Sequence, residues 1–115
     1  MAFNDIERKK LQKALDAFVE RRRPPMPKRS QLDFSYNLSG HHVELVEIRP
    51  QWDDASVICR RPYARATYVR TQNIWKIFWQ RASLKWNGYD PVPTASSIEG
   101  FLKAVEADPY GCFYG

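Results

Sequence analysis

The sequence predicts an α+β fold: an N-terminal helix, an antiparallel meander of about four strands, and a short C-terminal helix packed on the sheet. Three observations carry this expectation. Apolar residues near the start recur at three- and four-residue spacing, as on one face of a helix. Through the middle they alternate with polar residues at a period of two, as in half-buried strands. Helical spacing returns only near the end, so helices and strands are segregated along the chain rather than regularly alternating.

The helix opens on Asn4, followed three residues later by Glu7, a capping-box pair in which each residue can satisfy the other's backbone N–H. Leu11, Ala14, Leu15, Phe18 and Val19 form its apolar stripe. Arg21, Arg22 and Arg23 fall in the last turn, where cations suit the negative end of the helix dipole. Pro24 and Pro25 stop it. Residues 24–30 read as a stiff, basic, proline-rich linker of extended backbone.

Leu32, Phe34, Tyr36 and Leu38 alternate with polar residues as a first strand, and Ser39-Gly40 turns the chain into a second strand from His41 to Arg49. There the parity shifts: Val43 and Leu45 share one face, Val46 and Ile48 the other. Either a bulge sits near Leu45 or both faces of this strand are covered. Pro50 is expected to end its ladder, and residues 50–63 to form a long connection. Two further strands are expected from Ala64 to Thr71 and from Ile74 to about Trp86, the latter bent near Ala82-Ser83. Ser96 and Glu99 suggest a second capping box, leading into the stripe Ile98, Phe101, Leu102 and Val105. The aromatic tail from Tyr110 is expected to pack against the body.

Length and composition bound what such a chain can be. At 115 residues it has the size of one domain, read here as residues 1–115, and 43% hydrophobic content suffices for a core. No run approaches the ~18 apolar residues of a membrane span, so no membrane partner is expected. Met1-Ala2-Phe3 passes directly into a charged segment without the apolar core of a signal peptide, which implies a cytoplasmic protein. Cys59 and Cys112 are then expected to be free thiols. His41 and His42 are adjacent, and neither cysteine has a partner at zinc-finger spacing, so no metal or other cofactor is expected.

The net charge of +5 is unevenly spread. Residues 1–30 carry nine Lys/Arg against four acids, and residues 49–86 carry eight against two. The intervening residues 31–48 hold three acids and no base. This pattern fits either attraction to a polyanion or interspersed surface charge that serves solubility.

Several segments taken together resemble a known family. They are Phe18-Val-Glu-Arg-Arg-Arg-Pro-Pro25, Val46-Glu-Ile-Arg-Pro50 with Trp52, Ala66-Thr-Tyr-Val-Arg70, the run from Trp75 to Trp86 with Tyr89, and Tyr110-Gly-Cys-Phe-Tyr-Gly115. The family consists of small bacterial proteins and is known as a domain of unknown function. The resemblance runs over essentially the whole chain. It implies a bacterial, soluble, single-domain protein and no catalytic residues.

The candidate chemistry is mainly binding of an acidic partner, nucleic acid first. Arg70, Lys76 and Arg81, with Arg65 and Lys85, lie among aromatics in the late strands, the mixture with which sheets hold single strands. Phe78, between Lys76 and Gln80, is either a stacking surface or a residue buried under a helix on the second face of the sheet. Arg21, Arg22, Arg23, Lys28 and Arg29 form a second cationic cluster able to contact phosphates or simply to stay solvated. An alternative is a protein-interaction module whose aromatic surface docks another chain or itself, giving a homo-oligomer. A weaker enzyme candidate is a metal-dependent nuclease built on Asp33, Glu44, Glu47 and Arg49. That pattern has Arg where a lysine is needed, and Glu47 and Arg49 share a strand face on which they can pair.

Overall fold

The computed structural model describes residues 3–80 and 85–108. Helix α1 spans Asp5–Arg22. The Asn4 side chain accepts from the Glu7 backbone N–H at 2.8 Å, and the Glu7 carboxylate accepts from the Asn4 N–H at 3.0 Å, so the expected box is formed. The stripe Leu11, Leu15, Phe18 and Val19 is buried. Pro24 and Pro25 end the helix, but the linker is not extended throughout. Met26–Lys28 makes one 3₁₀ turn, closed by the Arg29 N–H on the Met26 carbonyl.

The sheet is an antiparallel meander of β1 (Asp33–Ser39), β2 (His42–Gln51), β3 (Asp54–Val69), β4 (Ile74–Gln80) and β5 (Trp86–Gly88), in that spatial order. A short β6 (Thr94–Ala95) shares the free edge of β4 with β5. Gly40 takes φ +57° in the two-residue turn joining β1 to β2, a conformation that glycine adopts without steric cost. Helix α2 (Ile98–Ala107) follows β6 and ends on Asp108 in the left-handed region. Its cap is Ser97, whose hydroxyl accepts from the Gly100 N–H at 3.2 Å, one residue later than the expected Ser96–Glu99 box. A methyl group at Gly100 would stand 3.0 Å from Ala95 Cβ, so the missing side chain lets α2 lie close on β6.

Both helices pack on one sheet face. Their buried stripes join Val43, Leu45, Ala64, Ala66, Trp75 and Ile77 in one core. The β2–β3 register jumps between Leu45 and Val46: Leu45 faces Ala64, but Val46 faces Pro62, leaving Tyr63 as the extra residue. The parity change in β2 is therefore a register irregularity with its inserted residue on β3. Val46, on the opposite parity, is buried outside the main core.

The expected connection over residues 50–63 is not a loop. β2 runs through Pro50, turns at Trp52-Asp53, and β3 begins at Asp54, ten residues before the expected Ala64. The two strands form a ribbon that outruns its neighbours, since β1 pairs only to Ile48 and β4 only from Ala64. Nearly every residue from Trp52 to Arg61 is exposed, so no burial imposes a period-2 pattern there. The fourth expected strand ends at Gln80, and Trp86 belongs to the separate β5. The bend near Ala82-Ser83 and the tail from Tyr110 lie outside the described residues. No described helix is long and apolar enough to cross a membrane.

Leu15 is 0% exposed at the centre of the helix–sheet contact. Leu15→Ala is expected to destabilise the protein by about 2–5 kcal/mol, the range for emptying a core site. Urea unfolding measures it, and a loss below about half a kcal/mol would mean that α1 does not dock on the sheet.

Candidate nucleic-acid interface

Neither helix packs on the second face of the sheet, and cross-strand register assembles its residues in rows. One row runs Asn37, Glu44, Arg65, Phe78 and Gly88 across five strands. The next runs Ser39, His42, Thr67, Lys76 and Thr94. Directly opposed residues share a face, so Phe78 projects away from the helices. It is half-buried and takes no part in the core. Burial under a helix, one of its two expected environments, is therefore not what the fold provides.

Arg65 organises this face. Its Nε and one terminal nitrogen donate to Glu44 Oε2 at 3.0 and 2.6 Å, and its guanidinium carbon lies 4.4 Å from the Trp86 ring centroid. Trp86 stands opposite Gln80 on the same sheet face as Phe78, two residues along β5 from Gly88, the direct partner of Phe78. A side chain at Gly88 would find no atom of the described residues within 4 Å. His42 Nδ1 and Thr67 Oγ1 are 2.9 Å apart. Lys76 and Lys85 are exposed and make no ion pair among the described residues. The result is two aromatic rings on the same sheet face as Lys76, an ammonium group with no ion pair among the described residues.

The helix-end cations are arranged differently. Arg23 forms a two-point bond with Asp33, Nε to Oδ1 and a terminal nitrogen to Oδ2, both at 2.8 Å, and also reaches Glu20. The Asp33 carboxyl is held below the usual carboxylate range chiefly by this bond. Arg21 bridges to Glu106 at 3.0 Å, and Arg22 lies 5.8 Å over the Phe34 ring. Arg29 donates to the Pro24 carbonyl and to Met26 Sδ, while Lys28 is exposed. Arg70 pairs with Glu7 at 3.1 Å, which lowers the Glu7 pKa. Arg81 lies outside the described residues. Of the candidate set, the fold brings Lys76 and Phe78 together and places the helix-end group elsewhere.

The four nuclease candidates do not converge. Asp33 binds Arg23, Glu44 binds Arg65, and Glu47 binds Arg49 at 2.7 Å. Glu44 and Glu47 stand three positions apart on β2, an odd offset that points them to opposite faces. Among the described residues no group of three or more His, Cys, Asp or Glu is placed to hold a metal. Cys59 is an exposed free thiol on the ribbon, and Cys112 lies outside the described residues. The contributions of Trp86 through Arg65, and of Gly88 as open space, were not singled out from sequence. Trp86 and Asn87-Gly88, a tryptophan directly before an Asn-Gly turn signal, are the sequence mark that could have drawn attention to them.

The chain belongs to the family described as a domain of unknown function (DUF3024), whose model matches residues 3–115. No curated protein and no solved structure matches it.

The Arg23–Asp33 pair makes stability depend on acid. With its folded pKa depressed, Asp33 stabilises the fold above the unfolded carboxylate value of about 4, and this is lost as pH falls through the folded value. Urea midpoints of the native chain and of Asp33→Asn are expected to differ most near neutrality and to converge as the pH falls well below about 4. A difference that stays constant across this range would assign the effect to something other than the pair's charge.

Proposed function

We propose that the protein binds single-stranded nucleic acid, without catalysis, on the helix-free face of its sheet. The observation that carries this reading is the placement of Phe78 and Trp86 there with Lys76, which makes no ion pair among the described residues, and with Gly88, where a side chain would meet no described atom within 4 Å. Bases stack on aromatic rings whatever their identity, and ammonium groups follow the phosphates. Arg65 fixes the Trp86 ring before any ligand arrives, so ordering that side chain adds little to the cost of binding. The paired arginines at the end of α1 hold the fold together in this reading, and Lys28 contributes at most a peripheral contact. The reading places the protein in a bacterial cytoplasm, where such strands are available.

Fluorescence anisotropy with mixed-sequence single-stranded RNA and DNA tests the proposal. Affinity is expected to fall with salt, with a log–log slope of about −0.7 per phosphate neutralised. Phe78→Ala and Trp86→Ala should each cost roughly 1–3 kcal/mol of binding, and similarly for all sequences. Lys76→Glu should flatten the salt dependence by about one phosphate. Absence of binding tighter than ~100 µM at about 50 mM salt would rule the reading out.

A further inference from the structure

The ribbon beyond the sheet plays no part in the face just described, and its tip has a distinct chemistry. Trp52, in the turn between β2 and β3, is 94% exposed and so touches almost nothing in its own chain. Asp53 and Asp54 follow it. Asp53 accepts from the Gln51 side-chain amide, and Asp54 from the hydroxyl and backbone N–H of Ser56. Those bonds from Ser56 hold the Asp54 carboxyl below the usual range. Neither carboxylate is in an ion pair among the described residues. The tip is thus a large apolar anchor beside two negative charges.

A complementary surface lies elsewhere on the same chain. Between α1 and α2 runs a groove of about 610 Å³ floored by Ala14, Ala17 and Leu102. Its rim carries Lys10, Lys13 and Lys103, all exposed and without ion pairs among the described residues. The Arg21–Glu106 bridge closes the end at the C-termini of both helices and neutralises one of the two acids in the lining. The alanines keep the floor low and apolar, so that a flat ring can approach the helix backbones.

We propose that this groove receives the Trp52 tip of a second copy of the chain, with the indole on the alanine floor and Asp53 and Asp54 against the lysine rim. The argument is charge complementarity joined to an apolar anchor: a negative tip and a lysine-rimmed groove, whose Asp53, Asp54, Lys10, Lys13 and Lys103 make no ion pair among the described residues. Tryptophan is among the residues that most often dominate association energetics when seated in such a pocket. Because one chain carries both halves, the contact repeats as a reciprocal dimer or as a head-to-tail assembly. The inference stands apart from nucleic-acid binding, and its test contains no nucleic acid.

Sedimentation equilibrium of the full chain, from low micromolar to about 0.5 mM, spans the affinities of weak and moderate interfaces. Mass above that of one chain is expected to appear with concentration. Trp52→Ala should weaken association by at least about tenfold, as truncation of an interface anchor does. Lys13→Glu with Lys103→Glu should do the same, and adding Asp53→Lys and Asp54→Lys to that variant should restore it. All five positions are exposed, and circular dichroism verifies that each variant is folded. A native chain monomeric throughout the range would overturn the proposal, as would association that survives Trp52→Ala or that the charge swap fails to restore.

Discussion

Two helices of 18 and 10 residues can cover one face of a six-stranded sheet, and that one-sided cover governs the rest of the molecule. Ala64 and Ala66 stand mid-sheet, flanked by Leu45 and Val43 on one side and by Trp79 and Ile77 on the other. Their small side chains leave room for Leu15, Phe18 and Phe101 to descend onto the sheet, where all three are buried. Every residue of opposite parity is then committed to the other face. The two cross-strand rows through Phe78 and Lys76 there are mostly polar, whereas Val46, of the same parity, is buried apart from the main core. The same limit explains the ribbon: past the helices, β2 and β3 continue with no partner layer.

Charge serves the fold more than the overall balance suggests. Each of the six ion pairs among the described residues is built on an arginine, and several tie together elements distant in sequence. Arg23 joins the end of α1 to the start of β1, Arg70 joins the end of β3 to the start of α1, and Arg21 joins α1 to α2. The lysines Lys10, Lys13, Lys76 and Lys103 are left out of these pairs. A planar guanidinium suits two-point bonds to carboxylates, whereas an ammonium is a compact, strongly hydrated point charge. Arginines therefore lock the architecture, and the lysines stand outside those locks.

Much of this architecture could be read in the sequence wherever burial imposes a period. The α1 stripe, the Asn4–Glu7 box, the β1–β2 turn at Gly40 and the parity change near Leu45 were all legible because each leaves a local mark. Residues 54–61 were not, since a ribbon exposed on both faces has no reason to alternate. Paired charges and two prolines made it resemble a loop. The α2 cap moved by one residue because serine occupies both position 96 and position 97, and only packing against β6 selects between them. At the candidate interface the parity of Lys76 and Phe78 was visible, but not which parity the helices would cover. Nor could the fate of Arg21, Arg23 and Arg70 be read, because their carboxylate partners are chosen by tertiary contact.

Pro50 and Pro62 sit where each strand has lost one neighbour: β2 beyond its pairing with β1, and β3 ahead of its pairing with β4. A proline offers no N–H to an incoming strand, so it is tolerated at such edges and spoils them as templates. An exposed two-stranded arm rich in Val57, Ile58 and Cys59 would otherwise invite chain after chain to add by backbone pairing, the route to fibrous aggregates. Interrupting both rails of the ladder near its root blocks that growth while leaving the tip accessible. The arm can protrude from a small protein without becoming a seed for its own precipitation.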